Sequence, residues 1–339
     1  MSACSGPLFA VYTRLPERVP PRIWTALRGL GLAGALGIIL TALTAPTVGL
    51  TMFWGIFVPI APLLFLIAPG LWRNVCPMAS LNQLPRALRF TRDWTLPSRV
   101  QQSAPLISAG LFLLIVPLRK ITLDHDGEAL VAFLLALLGL ALVGGFAFKG
   151  KSGWCTQFCP MLQVERFYGQ SPLFVVRNSH CRPCVGCSKN CYDANPTAAY
   201  LKDLHDPNPR LALYRKGFAG AMPWLIVAFF SQPALTSITI PNVLALYGRL
   251  LLVIAVGIGA FLIIEARTRF TSYQLILGHA IVAINLFYWF VTPVALQQLD
   301  LARVPLSHLI QAGVLVISLA WAWRALPRER AFLSTRGHR

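Results

Sequence analysis

Apolar runs of about twenty residues alternate along the chain with short stretches rich in Arg, Pro and Cys. Eight apolar segments stand out, at 23–43, 49–68, 101–118, 129–148, 218–237, 243–264, 271–291 and 306–325. Each approaches the ~20 residues an α-helix needs to cross about 30 Å of hydrocarbon, where every backbone polar group must be satisfied inside the element. The pattern predicts an all-α polytopic membrane protein with about eight transmembrane helices. The fifth segment is the weakest, because Ser231, Gln232 and Pro233 interrupt it. Pro59 and Pro62 predict a kink in the second. Three regions follow: an N-terminal four-helix membrane region over 1–148, a small cytoplasmic segment over 149–217, and a C-terminal four-helix membrane region over 218–339.

Composition agrees. Of the 339 residues, 56% are hydrophobic and 12% are charged, against about 25% charged in soluble domains. No small-residue cleavage site follows the first apolar run, so no cleaved signal peptide is expected.

The net charge of +18 has two readings. One is a basic face for nucleic acid. The other is the excess of Lys and Arg that cytoplasmic loops carry. With a cytoplasmic N-terminus, the inner segments are 1–22, 69–100, 149–217, 265–270 and 326–339. Together with adjoining span ends they hold 26 Lys and Arg against 8 Asp and Glu. The outer side keeps Arg119, Lys120, Arg249 and Arg303 against Asp124, Asp126, Glu128 and Asp300. The whole excess falls on one side, so topology accounts for it and nucleic acid is not expected as a partner. The charge asymmetry puts both termini on the cytoplasmic side, and the expected location is a bacterial cytoplasmic membrane. Tyr288, Trp289 and Phe290 close the seventh segment as an outer aromatic belt.

All eight cysteines fall in the segments assigned to the inner side. Thiols there are kept reduced, which argues against structural disulfides and for metal or redox ligands. Cys181, Cys184, Cys187 and Cys191 form C-x2-C-x2-C-x3-C. That spacing wraps three thiolates around three corners of a cubane, and the fourth leaves in another direction. Zinc is the alternative, but its sites use well-separated knuckles, and here the knuckles overlap. A ferredoxin run continues with Pro, whereas Tyr192 follows Cys191 here.

Cys155 to Pro160 form C-x3-C-P, the closing half of such a run. By the two-cluster logic Cys159 completes a first cluster with Cys181, Cys184 and Cys187, while Cys191 crosses to a second with Cys155. An internal repeat adds a ligand: Trp72-Arg-Asn-Val-Cys76-Pro77-Met78 mirrors Cys155-Thr-Gln-Phe-Cys159-Pro160-Met161. The second cluster then has Cys76, Cys155 and Cys191. Its fourth ligand is Cys4, another side chain or water, unless the cluster has three cysteines only. The expectation is one or two [4Fe-4S] clusters.

At these residues the chain resembles the membrane-bound polyferredoxin-like iron–sulfur proteins. They include the quinol-dehydrogenase subunit of periplasmic nitrate reductase, the membrane iron–sulfur protein serving nitrous-oxide reductase and the cytochrome-oxidase accessory iron–sulfur protein. Those proteins carry two C-x3-C-P motifs at the inner ends of spans and a ferredoxin-like cytoplasmic segment. Here the second motif is intact, the first survives as Cys76-Pro77, and the ferredoxin-like part is a single run from Cys181 to Cys191. The resemblance covers roughly residues 50–217 and implies electron transfer between a quinone pool and protein carriers.

Clusters on one face cannot send electrons across about 30 Å of hydrocarbon, so quinone is the expected mobile partner. His279 and Glu265, near the inner ends of segments seven and six, are its candidate proton-exchanging groups. The ordinary alternatives are pairing of Glu265 with Arg267 or Arg269 and a hydrogen bond from His279 to a neighbouring helix. His279 and His308 sit at opposite depths, so no b-type heme is expected. An acidic cytoplasmic carrier, ferredoxin or flavodoxin, suits the basic face, with Lys189 a candidate contact, and a membrane redox complex is the other candidate partner. The chain reads as an electron-transfer protein between a cytoplasmic carrier and quinone or a membrane redox partner, with a part in a quinone-linked oxidoreductase left open. Two competing classes stand beside it. One is a cluster-dependent metal reductase or assembly factor, in which Met78 and Met161 attract Cu(I). The other is a non-redox zinc-binding membrane protein.

Overall fold

The computed structural model describes residues 19–148, 154–176, 192, 195–235, 237–301 and 304–336. Among them every regular element is a helix, and one isolated bridge pairs Trp94 with Phe148. In chain order the helices are α1 (Pro21–Thr44), α2 (Pro46–Leu50), a π-helical stretch (Thr51–Phe57), α3 (Val58–Ile67), α4 (Pro69–Val75) and α5 (Pro77–Ala87). Then come α6 (Ser98–Leu118), a second π-helical stretch (Arg119–Leu123), α7 (Gly127–Ala147), α8 (Met161–Tyr168), α9 (Pro196–Leu204), α10 (Pro209–Ser231), α11 (Ile240–Arg267), α12 (Ser272–Gln298) and α13 (Val304–Arg336).

Among the described residues seven helices are long and apolar enough to cross a membrane: Pro21–Thr44, Pro46–Ile67, Arg99–Leu123, Gly127–Ala147, Ile240–Arg267, Ser272–Gln298 and Val304–Ser334. The chain is an α-helical polytopic membrane protein. Their exposed faces carry Leu, Ile, Val and Trp, as lipid contact requires: Leu30, Ile263, Leu309 and Trp323 are all exposed.

The fifth expected span is the one that falls short. α10 contains it, but the helix stops at Ser231, and its N-terminal half carries Arg210, Arg215 and Lys216. Protein covers this helix in place of lipid. Ala219, Gly220, Ala221 and Met222 are buried, and Gly220 meets Gly257 and Phe261 of α11 closely. α10 still joins the two ends of the bundle. At one end Lys216 pairs with Glu265 at 2.8 Å, and Arg215 with Asp203 at 2.7 Å. At the other, Phe229 lies 4.9 Å from the Arg119 guanidinium and 4.6 Å from the Lys120 ammonium. Arg119 also binds Asp124 at 2.8 Å and covers Trp54 at 3.8 Å.

The prolines of the second span are absorbed without ending it. The π-helical stretch Thr51–Phe57 precedes Pro59, and the helix continues through Pro62. Wider π turns adjust the local hydrogen bonding where a proline ring and its missing N–H disrupt it. The Pro59 carbonyl accepts a hydrogen bond from the Tyr288 hydroxyl.

The inner segment 69–100, expected as a loop, holds two helices. Residues before proline avoid the α conformation, and proline suits the first turn of a helix. Pro69 and Pro77 therefore start α4 and α5. α5 packs along the C-terminal part of α7, where the Asn82 amide donates to the Ala141 carbonyl at 2.9 Å. A Cβ on Gly145 would lie 1.9 Å from the Asn82 carbonyl oxygen. Gly145→Ala must push α5 away from α7, and overpacking of this kind costs about 1–3 kcal/mol. A lowered unfolding temperature in detergent is the expected result; an unchanged one contradicts this packing.

A cysteine-lined cavity as candidate metal centre

Both halves of the internal repeat adopt one plan. In the first, α4 ends as the Cys76 amide bonds the Trp72 carbonyl at 2.8 Å. Cys76 is extended (φ −56°, ψ 125°), as a residue before proline should be, and α5 starts at Pro77. In the second, the amides of Gln157, Phe158 and Cys159 converge on the Trp154 carbonyl at 3.1, 2.9 and 3.0 Å. This helix-like turn brings residues four apart to one side, so Cys155 and Cys159 neighbour each other. α8 starts at Met161, directly after Cys159-Pro160. The Cys159 carbonyl is held by the hydroxyl of Ser108, on α6, at 2.7 Å.

The two halves meet. Cys76, Cys155 and Cys159 line one cavity of about 140 Å³, together with Trp72, Arg73, Met78, Glu165, Arg166 and Tyr192. Arg73 of the first half is paired with Glu165 of the second, which ties α4 to α8. Trp72 stands edge-on to Phe65 at 5.3 Å and fixes the wall on the α3 side.

The cavity has a definite electrostatic character. The first turns of α5 and α8 line it through Met78, Ala79 and Leu162, and helix N-termini favour negative charge. Burial pushes the Cys159 thiol up to about 12, Cys76 nearby adds to this, and the amides of Met161 and Leu162 act the other way. A thiol in that position stays protonated at neutral pH until a bound metal cation displaces the proton. Beside it, Arg215 is buried. It donates to Asp203 and to the Tyr192 hydroxyl, each at 2.7 Å, and Tyr192 donates to Asp203 at 2.6 Å. The Arg166 guanidinium lies over the Tyr192 ring at 4.2 Å.

Of the cysteines singled out in the sequence, Cys76, Cys155 and Cys159 come together. Cys4, Cys181, Cys184, Cys187 and Cys191 lie outside the described residues, as does Lys189. Among the described residues no three His, Cys, Asp or Glu side chains could hold a single metal ion. His279 and Glu265 do not line the cavity. Glu265 pairs with Lys216 and accepts from Ser272, in place of the expected Arg267 or Arg269. His279 bonds the Leu275 carbonyl of its own helix at 2.9 Å and packs on Phe261, so the expected partner on a neighbouring helix is replaced. Sequence reasoning missed Arg73, Glu165, Arg166, Tyr192 and Ser108. Arg73 lies inside the repeat, and Glu165-Arg166 is a charged pair on the helix after Cys159, the one signal that pointed to them.

No protein-family model matches the chain, and no curated protein or solved structure matches it.

Proposed function

We propose that the chain is a membrane-bound iron–sulfur electron-transfer protein that holds a [4Fe-4S] cluster in the cavity of Cys76, Cys155 and Cys159. One observation carries this reading: two separate Cys-Pro-Met turns, related by an internal repeat, deliver their thiols to the same cavity. The donor set fits. Thiolates are the ligands of such clusters, and backbone amides directed at a ligating sulfur stabilise its negative charge. A lone zinc ion asks its sulfurs to meet about 2.3 Å from one point. A [4Fe-4S] cube carries iron at alternate corners, each taking its own thiolate, so its ligands need not converge on one point; no three described side chains are grouped to hold a single ion.

When bound, such a cluster takes up and releases single electrons. The chain's own part is to supply thiolates, exclude water with Trp72 and Met78, and set the local charge with its arginines. The shared cavity favours assigning Cys159 to the same group as Cys76 and Cys155. The 181–191 run then provides a fourth ligand, and its remaining thiols with Cys4 are left for a second cluster.

The cysteine end of the bundle carries Arg28, Arg73, Arg86, Arg166, Arg215, Lys216 and Arg328. By the distribution of basic residues it faces the cytoplasm. An acidic carrier would dock there, with quinone in the bilayer as the other partner. Iron and acid-labile sulfide in protein purified without oxygen test the reading. About four or more of each per chain is the expected result. Zinc without sulfide would sink it.

A further inference from the structure

Arg73 and Arg166 line the cavity, Arg215 lies behind Tyr192, and among the described residues two carboxylates stand against these three guanidinium groups. Arg73 is paired with Glu165, and Arg215 with Asp203. Arg166 is the third. It lines the cavity, and its Nε is buried with no hydrogen-bond partner among the described residues. Its neighbour is the Tyr192 ring, whose hydroxyl is already engaged by Asp203 and Arg215. Arg215 and Arg73 act on it with the same sign of charge, and the carboxylate that opposes them, Asp203, is already paired with Arg215.

An arginine keeps its proton at any pH the protein meets. A cation held out of water without a counter-ion is strongly unfavourable. Among the described residues the arrangement therefore holds one more guanidinium than carboxylate, and the guanidinium without a carboxylate of its own lines the cavity of the thiols. From this geometry we infer that Arg166 is the charge partner of the group held by Cys76, Cys155 and Cys159, and that it sets the reduction potential of that group. The inference rests on the iron–sulfur reading above.

The physical argument is Coulombic. A thiolate-bound four-iron cluster is anionic and gains one further negative charge on reduction. A fixed positive charge beside it favours the reduced form more than the oxidised form, and in a low-dielectric pocket the difference is large. Removing that charge lowers the potential. Arg166 does this as a positioning residue. It needs no bond to iron, and its stacking on Tyr192 fixes the distance over which its charge acts. Glu165, next in sequence, cannot cancel it, because Arg73 holds that carboxylate.

The test uses full-length protein purified without oxygen in detergent, with Arg166→Met and Arg166→Lys beside the wild type. Each is titrated with dithionite under EPR, following the signal that Cys76→Ser abolishes. Arg166→Met should keep its iron and shift that midpoint to more negative potential, with Arg166→Lys close to wild type. Loss of iron in Arg166→Met with retention in Arg166→Lys also supports the inference, since charge alone separates the two. An unmoved midpoint in Arg166→Met overturns it. Equal shifts, or equal iron loss, in both variants overturn it as well, because shape and not charge would then be at work. A wild type without iron defeats the underlying cluster reading instead.

Discussion

Replacing Asp203 with Asn should destabilise the protein by about 3–5 kcal/mol, the range for removing one partner of a buried ion pair. Arg215 retains 3% side-chain exposure and Asp203 21%, so water cannot take over the lost role. With the carboxylate gone, Arg215 keeps, among the described residues, the Tyr192 hydroxyl, the Gln163 oxygen at 3.3 Å and the faces of Tyr200 and Tyr214, all neutral. Asp203→Asn combined with Arg215→Met should recover part of the loss, since the second change removes the stranded charge. Unfolding temperatures in one detergent compare the three proteins, and equal values for Asp203→Asn and wild type would contradict the role given to this pair.

The same pair predicts a pH dependence. Burial opposes ionisation of Asp203, but the Arg215 charge and the hydrogen bonds from Arg215 and Tyr192 outweigh it and hold the carboxyl below its ordinary value. A group whose pKa is depressed by folding stabilises fully above its unfolded value, about 3.9 for Asp, and loses that contribution as pH falls through the folded value. Wild type should therefore lose stability on acidification below about pH 4 more steeply than Asp203→Asn. Parallel curves would remove Asp203 from the account.

The second large effect concerns the thiols. Cys76→Ser and Cys159→Ser should each remove the same four or so irons per chain, because a hard hydroxyl replaces a soft thiolate poorly. The double substitution should remove no more than either single one. Additive losses would mean that the two cysteines serve separate clusters. That was the division suggested by ferredoxin spacing alone, which paired Cys159 with Cys181, Cys184 and Cys187.

Seven spans were legible in the sequence because lipid enforces a simple rule: about twenty apolar residues, whatever the fold. α10 resisted that rule because its surroundings are protein. Arg215 at its start is answered by Asp203, and Ser231 at its end bonds the Val227 carbonyl of its own helix. α5 was illegible for a related reason. Asn82 and Gln83 read as loop residues, yet both are buried, Asn82 against the end of α7.

The candidate site shows the same division. Cys-Pro-Met is a local pattern, and it carried the repeat from sequence to cavity intact. The arginines were read mainly as markers of membrane side, since a basic loop residue looks alike whether it faces water or a buried anion. What distinguishes Arg73 and Arg215 is their partners. Those lie 92 residues away for Arg73–Glu165 and 12 for Arg215–Asp203. Ser108 within α6 was likewise invisible, because its bond to Cys159 spans 51 residues.

The most direct test of the central claim is low-temperature EPR of dithionite-reduced protein prepared without oxygen, wild type beside Cys76→Ser. A cluster held between the two repeat halves gives an iron–sulfur signal in the wild type that is gone from the variant. A wild type with no such signal and no bound iron, or a variant whose spectrum is unchanged, would contradict it.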